Sequence, residues 1–151
     1  MNEESSRPAY LRAPLLALVA LGGAAGTAMR AELGRLLPHA PGTWSWSTLL
    51  VNLVGAFVLA VLLELLGRLR RGHLPLRLML GTGVLGGFTT YSAFSVETVQ
   101  LLQSGRALLA LAYVVVTVFG GLVLALLGLR LTGAHGTWGH LWAAREPGAA
   151  S

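Results

Sequence analysis

Hydroxyl, amide and aromatic side chains interrupt the long uncharged stretches of this 151-residue chain. Asn52 lies in one such stretch, and Tyr113 and Thr117 stand four residues apart in another, on one face of a helix. A third stretch, over 86–95, reads Gly-Gly-Phe-Thr-Thr-Tyr-Ser-Ala-Phe-Ser. Hydroxyl and amide groups can donate hydrogen bonds to a small anion, and backbone carbonyls freed by a helix break can bind a hard cation. These residue types point to ion binding.

Each of these features also has a purely structural interpretation. Asn52 could form a hydrogen bond between two helices. Tyr113 could pack in the middle of its helix, with its hydroxyl hydrogen-bonded to a nearby group. The glycines over 81–87 could only permit close helix packing, which would also explain Gly22 and Gly26. Irregular backbone survives in lipid only where it is buried in protein or lines a polar cavity. The coincidence of glycines with hydroxyl residues therefore favours an ion site in the third stretch.

The uncharged stretches lack the groups that catalysis needs. They contain no histidine or aspartate, and their only carboxylates, Glu64 and Glu97, stand near stretch ends. Without a nucleophile and a base inside the membrane, the chain is not expected to be an enzyme. The chain has no cysteine, which excludes thiol chemistry. We expect no ligand role for the four histidines of the flanks, loops and tail, which are His39, His73, His135 and His140.

Composition places these residues in an integral membrane protein. The chain is 54% hydrophobic and 11% charged, whereas a soluble domain carries about a quarter charged residues. The eleven basic residues are all arginines, scattered among the gaps between apolar runs, which argues against a nucleic-acid-binding surface. The four apolar runs cover 15–29, 49–63, 78–96 and 107–129.

A helix needs about 20 residues to cross a membrane, so these runs and their flanks predict an all-α protein of four transmembrane helices. The third helix is predicted to be broken at mid-membrane. We expect a polar N-terminal segment over 1–14, a transmembrane domain over 15–132 and a polar tail over 133–151. The segment 67–77 is predicted to be a loop. The tight connection over 104–106 should make the third and fourth helices antiparallel neighbours.

The ordered residues of all four stretches resemble the CrcB family of fluoride channels, also called Fluc. The resemblance covers about 21–131, and its most specific motif is the string over 86–97. The other matching motifs are Gly-Gly-Ala-Ala-Gly over 22–26 followed by Arg30, Thr-Leu-Leu-Val-Asn-Leu-Val-Gly over 48–55, and Tyr113 with Thr117. The resemblance implies a passive channel in the cell membrane that exports fluoride from the cytoplasm and relieves its toxicity.

The resemblance also implies an antiparallel, dual-topology dimer with two fluoride pores and a structural sodium ion that is not transported. Carbonyls of Gly86 and Thr89 from each subunit would hold the sodium. Arg30 and Glu97 are assigned either to an ion vestibule or to a structural role. The implied fluoride pathway consists of Asn52, Thr90, Tyr91, Ser92, Phe94, Ser95, Tyr113 and Thr117.

Two positions depart from the family pattern. The family has two phenylalanines three residues apart, whose electropositive ring edges face the anion. Tyr91 replaces the first, and Phe94 matches the second. Gly121 stands where the family usually places a further hydroxyl on the fourth helix. These departures leave the conduction behaviour of this chain open.

Two other classes of membrane protein remain as alternatives. A small multidrug transporter is also short, four-helical and dimeric, but it needs a carboxylate in the first helix, and 15–29 contains none. A non-conducting scaffold would explain the glycines but not the hydroxyl residues.

Arginine placement predicts a preferred orientation in the membrane. Four crossings would put eight arginines on the side of the termini and three on the other side. The first group is Arg7, Arg12, Arg68, Arg70, Arg71, Arg77, Arg130 and Arg145, and the second is Arg30, Arg35 and Arg106. This bias favours cytoplasmic termini and an antiparallel partner encoded separately. The alternative is a homodimer that tolerates the bias.

Overall fold

The computed structural model describes residues 13–68 and 73–133, and every regular element within these ranges is a helix. Three of them, Ala13–Leu36, Trp46–Arg68 and Ala107–Leu131, are long and apolar enough to cross a membrane. The elements are α1 (Ala13–Leu36), α2 (Trp46–Arg68), α3 (Leu74–Arg77), a π-helix (Leu78–Leu85), α4 (Gly86–Phe88), α5 (Tyr91–Gln103) and α6 (Ala107–Leu131). The predicted N-terminal segment and tail lie almost wholly outside the described residues.

The prediction of a loop over 67–77 is wrong at both ends of that segment. Helix α2 continues to Arg68, whose guanidinium pairs with Glu64 one turn earlier at 3.0 Å. Helix α3 begins at Leu74 and places Pro75 in its first turn. Proline is tolerated there because the first amides of a helix have no helical acceptor. Proline and arginine are therefore compatible with helix ends here, and residues 69–72 lie outside the described ranges.

Glycines bring α1 into backbone contact with the π-helix and α4. A Cβ atom on Gly22 or Gly26 would collide with backbone atoms of the facing segment. The reverse also holds, because a Cβ on Gly83 or Gly87 would collide with the backbone of α1. Close packing therefore explains these four glycines. It does not explain Gly86, where a Cβ would meet no other atom within 4 Å.

The backbone leaves the helical path between α4 and α5. The π-helix before α4 is a rare element that is frequently found at functional sites. Thr89 (φ −73°, ψ 156°) and Thr90 (φ −147°, ψ 123°) are extended. The Thr90 hydroxyl then caps α5 by accepting a hydrogen bond of 3.2 Å from the amide of Ala93. The carboxyl end of α4 and the amino end of α5 thus meet at two extended residues.

The core lies where α2, α5 and α6 meet, close to the α5–α6 connection. Its buried residues are Leu49, Leu101, Ala110 and Tyr113. The α5–α6 connection over 104–106 is tight, as predicted, and Gly105 adopts a positive φ of 71° there. The Arg106 guanidinium donates a 3.2 Å hydrogen bond to the carbonyl of Gly42. This contact joins the α1–α2 loop to the α5–α6 connection.

Candidate ion pathway

The Asn52 side chain on α2 holds the extended backbone between α4 and α5. Its Nδ2 donates to the carbonyl of Thr90 at 3.0 Å, and its Oδ1 accepts from the amide of Thr90 at 2.9 Å. One primary amide thereby satisfies both polar groups of a residue that has left the helical ladder. The interhelical hydrogen bond considered for Asn52 is present. It leaves one Nδ2–H available for another acceptor.

The carbonyls of Gly86 and Thr89 lack their usual helical donors. The Thr90 amide, which would bond Gly86 in a continuous helix, donates to Asn52 instead. The Ala93 amide, which would bond Thr89, donates to the Thr90 hydroxyl. Across 13–68 and 73–133, no group of three or more His, Asp or Glu side chains could hold a metal. Free carbonyls at the negative end of a helix suit a hard cation, so these residues fit a sodium ion.

A cavity of about 320 Å³, here called the polar groove, opens beside the interruption. It collects five of the eight predicted pathway residues on one surface, drawn from α2, α5, α6 and the extended segment. These five are Asn52, Thr90, Tyr91, Phe94 and Thr117. The amino end of α5 also lies here, and its free amides favour negative charge.

Three hydroxyl groups near the groove are already engaged. The Ser92 hydroxyl lies 3.3 Å from that of Thr90. Ser95 and Thr117 donate to backbone carbonyls one turn earlier, at 2.9 Å and 2.7 Å. These two side chains must rotate about χ1 before they can donate to an ion. Of the predicted pathway residues, Ser92, Ser95 and Tyr113 do not line the groove.

Aromatic rings connect the groove with the core. Tyr91, which is 81% exposed, lies with its ring centroid 6.1 Å from that of Phe94. Phe94 in turn lies 5.4 Å from Tyr113, and Tyr113 meets Trp44 edge-on at 5.3 Å. Within the part of the chain described, Trp44 Nε1 is the buried side-chain polar atom that lacks a hydrogen-bond partner. Phe94 therefore stands between an exposed ring and a buried one.

Glu97 is buried inside the protein. The residue is 8% exposed, and its two carboxylate oxygens accept hydrogen bonds from the hydroxyls of Thr48, at 2.7 Å, and Tyr113, at 2.6 Å. Helices α2, α5 and α6 thus meet at one carboxylate. A side chain that only snorkelled to the interface would not be bonded in this way.

A second cavity, of about 220 Å³, also borders Thr90 and is here called the entrance pocket. Its polar lining residues are Arg30, His39, Ser47, Thr48, Thr90 and Glu97. Arg30 Nε donates to the carbonyl of Gly87 at 3.2 Å, so this cation supports the carboxyl end of α4. Thr90 lines both cavities.

Sequence reasoning missed Thr48 and His39 as members of this site. Thr48 could have been identified, because it lies four residues before Asn52 and so on the same face of α2. His39 offered no comparable signal, since it lies in the α1–α2 loop and only the fold brings it to the pocket. We expected no ligand role for it, and its imidazole stands 3.8 Å from the Glu97 carboxylate.

Three helices in the described ranges are long and apolar enough to cross a membrane, and hydrogen-bonded polar side chains lie between the helices. Together these features define a multi-pass membrane protein. A model of the family described as CrcB-like protein, Camphor Resistance (CrcB), matches residues 17–129. The chain belongs to the CrcB family. This assignment confirms the resemblance inferred from the motifs and sets aside the small multidrug transporters.

Curated bacterial relatives extend over most of this chain. It is 48% identical over 117 residues to Fluoride-specific ion channel FluC 1 of Cutibacterium acnes, which covers 76% of this chain and 82% of the relative. It is 49% identical over 119 residues to a Fluoride-specific ion channel FluC of Thermus thermophilus, a match that covers 78% of this chain and 94% of the relative. It is 43% identical over 122 residues to Fluoride-specific ion channel FluC 2 of Listeria innocua, a match that covers 77% of this chain and 90% of the relative. With its span-length helices, this chain is a multi-pass protein of the cell membrane.

Proposed function

We propose that this protein is a fluoride-specific ion channel, which passively exports fluoride from the cytoplasm and relieves its toxicity. The observation that carries this function is the polar groove, where an amide, hydroxyls and aromatic rings from three helices share one surface. Relatives named as fluoride-specific channels share the family to which the chain belongs. The protein is accordingly a channel and not an enzyme.

The groove offers the chemistry that a small, strongly hydrated anion requires. Fluoride gives up water only where other hydrogen-bond donors replace it. The second Nδ2–H of Asn52, the hydroxyl of Thr90 and the amino end of α5 are such donors. The ring edges of Tyr91 and Phe94 add positive quadrupole density without a fixed charge that would trap the ion.

The helices from α3 to α5 form the third of four membrane crossings in this proposal, broken near the middle by Thr89 and Thr90. The two extended residues support this topology, and so does the bond that Asn52 makes to Thr90. A backbone N–H or C=O group without a hydrogen bond costs roughly several kcal/mol in lipid. A break in a membrane helix therefore needs a hydrogen-bonding side chain such as that of Asn52. The same break supplies the free carbonyls for a cation and the free helix amides for an anion.

The sodium site and the dimer form one proposal. Each chain contributes the carbonyls of Gly86 and Thr89, and a hard cation takes more oxygen ligands than these two. A second antiparallel copy, or a homologue, would bring the matching pair across a twofold axis. The open space beside Gly86 leaves room for this approach. Bound sodium would supply fixed positive charge at the dimer centre, where the carboxyl end of α4 is negative.

Fluoride efflux from liposomes tests the channel function. Purified protein is reconstituted into vesicles loaded with either fluoride or chloride, and efflux is followed with ion-selective electrodes after the membrane potential is short-circuited. Rapid fluoride release with chloride release close to that of protein-free vesicles is expected. Equal release of both ions would contradict selectivity, and release of neither would favour a non-conducting scaffold.

A further inference from the structure

A carboxylate and an imidazole face each other in the entrance pocket. His39 Nε2 lies 3.8 Å from Oε1 of Glu97, and their side chains are 27% and 10% exposed. His39 stands in the loop after α1, and Glu97 stands in the second turn of α5. Both line the entrance pocket, and Thr90 lines both this pocket and the polar groove. An ion that entered the groove from this pocket would pass close to both groups.

The Glu97 carboxylate opposes the passage of an anion. Each of its oxygens accepts a hydrogen bond from a hydroxyl, one from Thr48 and one from Tyr113, so the group acts here as an acceptor. Where water is scarce, a negative charge repels a second one strongly. An anion channel with this group beside its path needs a compensating positive charge.

Only one facing group can supply a variable positive charge. From α1, the Arg30 guanidinium lines the pocket, is permanently charged and bonds the Gly87 carbonyl through Nε. Helix α2 contributes neutral hydroxyls, and α6 contributes the hydroxyl of Tyr113, which donates to Glu97. Among the described groups that line the pocket with Glu97, His39 in the α1–α2 loop is the one whose side chain can be either neutral or positively charged.

We infer that His39 makes fluoride passage through the entrance pocket dependent on pH. This inference rests on the proposed channel function and concerns the regulation of the same path. Protonated His39 offsets the charge of Glu97, so fluoride enters the groove more readily. Neutral His39 leaves the repulsion in place. Fluoride flux therefore rises as the pH falls through the range in which the imidazole takes up its proton.

Fluoride efflux at a series of pH values, equal on both sides of the vesicle membrane, tests this inference. Between about pH 8 and about pH 5.5, wild-type flux is expected to rise on the order of threefold to tenfold. His39→Gln should stay at the low level throughout, and His39→Arg should stay at the high level. Protein-free vesicles at each pH supply the correction for leakage of neutral hydrogen fluoride.

His73, the other described histidine in a loop, provides the matched control. It lies before α3, at the opposite end of α2 from the entrance pocket. His73→Gln should keep the full response to pH, and size-exclusion profiles should show every variant assembled like the wild type.

The inference is overturned if wild-type flux is flat across this pH range or if His39→Gln retains the response. The channel function has its own readout, because fluoride must exceed chloride efflux at the highest pH in the wild type. Fluoride selectivity without a pH response would refute the role of His39 alone. Absence of fluoride efflux at every pH would refute both.

Discussion

Asn52 pairs with the backbone of Thr90 through both ends of its carboxamide, at 3.0 Å and 2.9 Å. This pairing makes Asn52 the partner that permits an extended segment between two helices. The Thr90 amide is thereby withheld from Gly86, whose carbonyl stays free. The same residue can thus shape the proposed cation site and leave one N–H for the proposed anion path.

Asn52→Asp should reduce fluoride flux at least about tenfold, because a carboxylate would repel the anion in a region of low dielectric constant. The substitution also removes the donor to the Thr90 carbonyl, and one unsatisfied buried group costs about 1–3 kcal/mol. Efflux and thermal unfolding in detergent measure the two effects. Wild-type values for both would show that the pairing contributes neither to conduction nor to stability.

Phe94→Ile should lower fluoride flux about tenfold or more while the size-exclusion profile stays that of the wild type, because it removes a positive ring edge and keeps apolar bulk. The ring also contacts Tyr113, so a stability loss of about 1 kcal/mol is expected as well. Phe119→Ile is the matched control, since Phe119 is 62% exposed on α6 and lies outside the polar groove. Equal flux in the two variants would mean that Phe94 only packs.

Gly121 tests the departure from the family pattern. A Cβ there would approach Ala56 Cβ no closer than 3.9 Å, an ordinary contact. Gly121→Ser should therefore fold normally, with stability within about 0.5 kcal/mol of wild type. Because the new hydroxyl extends the stripe of Tyr113 and Thr117, fluoride flux should be equal to or above the wild-type level. Efflux and thermal unfolding are measured on the same preparation.

Gly128 supplies the contrasting control on the same helix. A Cβ on Gly128 would lie 3.0 Å from the carbonyl oxygen of Phe57 and 3.3 Å from Ala60 Cβ. Gly128→Ser should thus force α2 and α6 apart and cost about 1–3 kcal/mol. If both serine variants lost the same stability, the space available for a Cβ atom at the two glycines would not be what determines whether a serine is tolerated there.

The sequence was sufficient for features that hydropathy or local chemistry determines. Uncharged runs predicted the long helices, and glycines beside hydroxyls marked the segment that contains the extended Thr89 and Thr90. The sequence could not show which glycines pack against another helix and which face open space, because this depends on which face of the segment meets α1. Gly83 packs and Gly86 is open, although both belong to one glycine-rich run.

Contacts between distant segments explain the other gaps in prediction. The approach of His39 to Glu97 depends on how the α1–α2 loop folds over α5, which no periodic pattern encodes. The π-helix over Leu78–Leu85 was likewise not predicted from the sequence, and its Gly83 lies against the backbone of α1. The loop predicted over 67–77 failed because the arginines and Pro75 also occur at helix ends.

The last prediction concerns membrane orientation, where the structure changes the arginine count. Arg30 bonds the Gly87 carbonyl between helices, so it is not a loop charge available to set topology. Arg145 is retained, because it lies 14 residues beyond Leu131 at the end of α6, within the range of about 15–20 residues over which basic residues direct insertion. The bias becomes eight to two in favour of the side that holds the termini. The free energy of insertion should then favour cytoplasmic termini strongly. An antiparallel partner would consequently have to be a homologue that inserts the opposite way.

Reporters fused to the C-terminus measure this orientation directly. We expect strong activity from a reporter that works only in the cytoplasm and almost none from one that works only outside it. As a matched control, neutralising Arg68 and Arg77 by glutamine while adding arginines beside Arg106 should move activity toward the external reporter. Comparable activity from both reporters in the wild type would instead establish dual topology. In that case a single gene product supplies both halves of the antiparallel pair, and the arginine bias is too weak to choose between them.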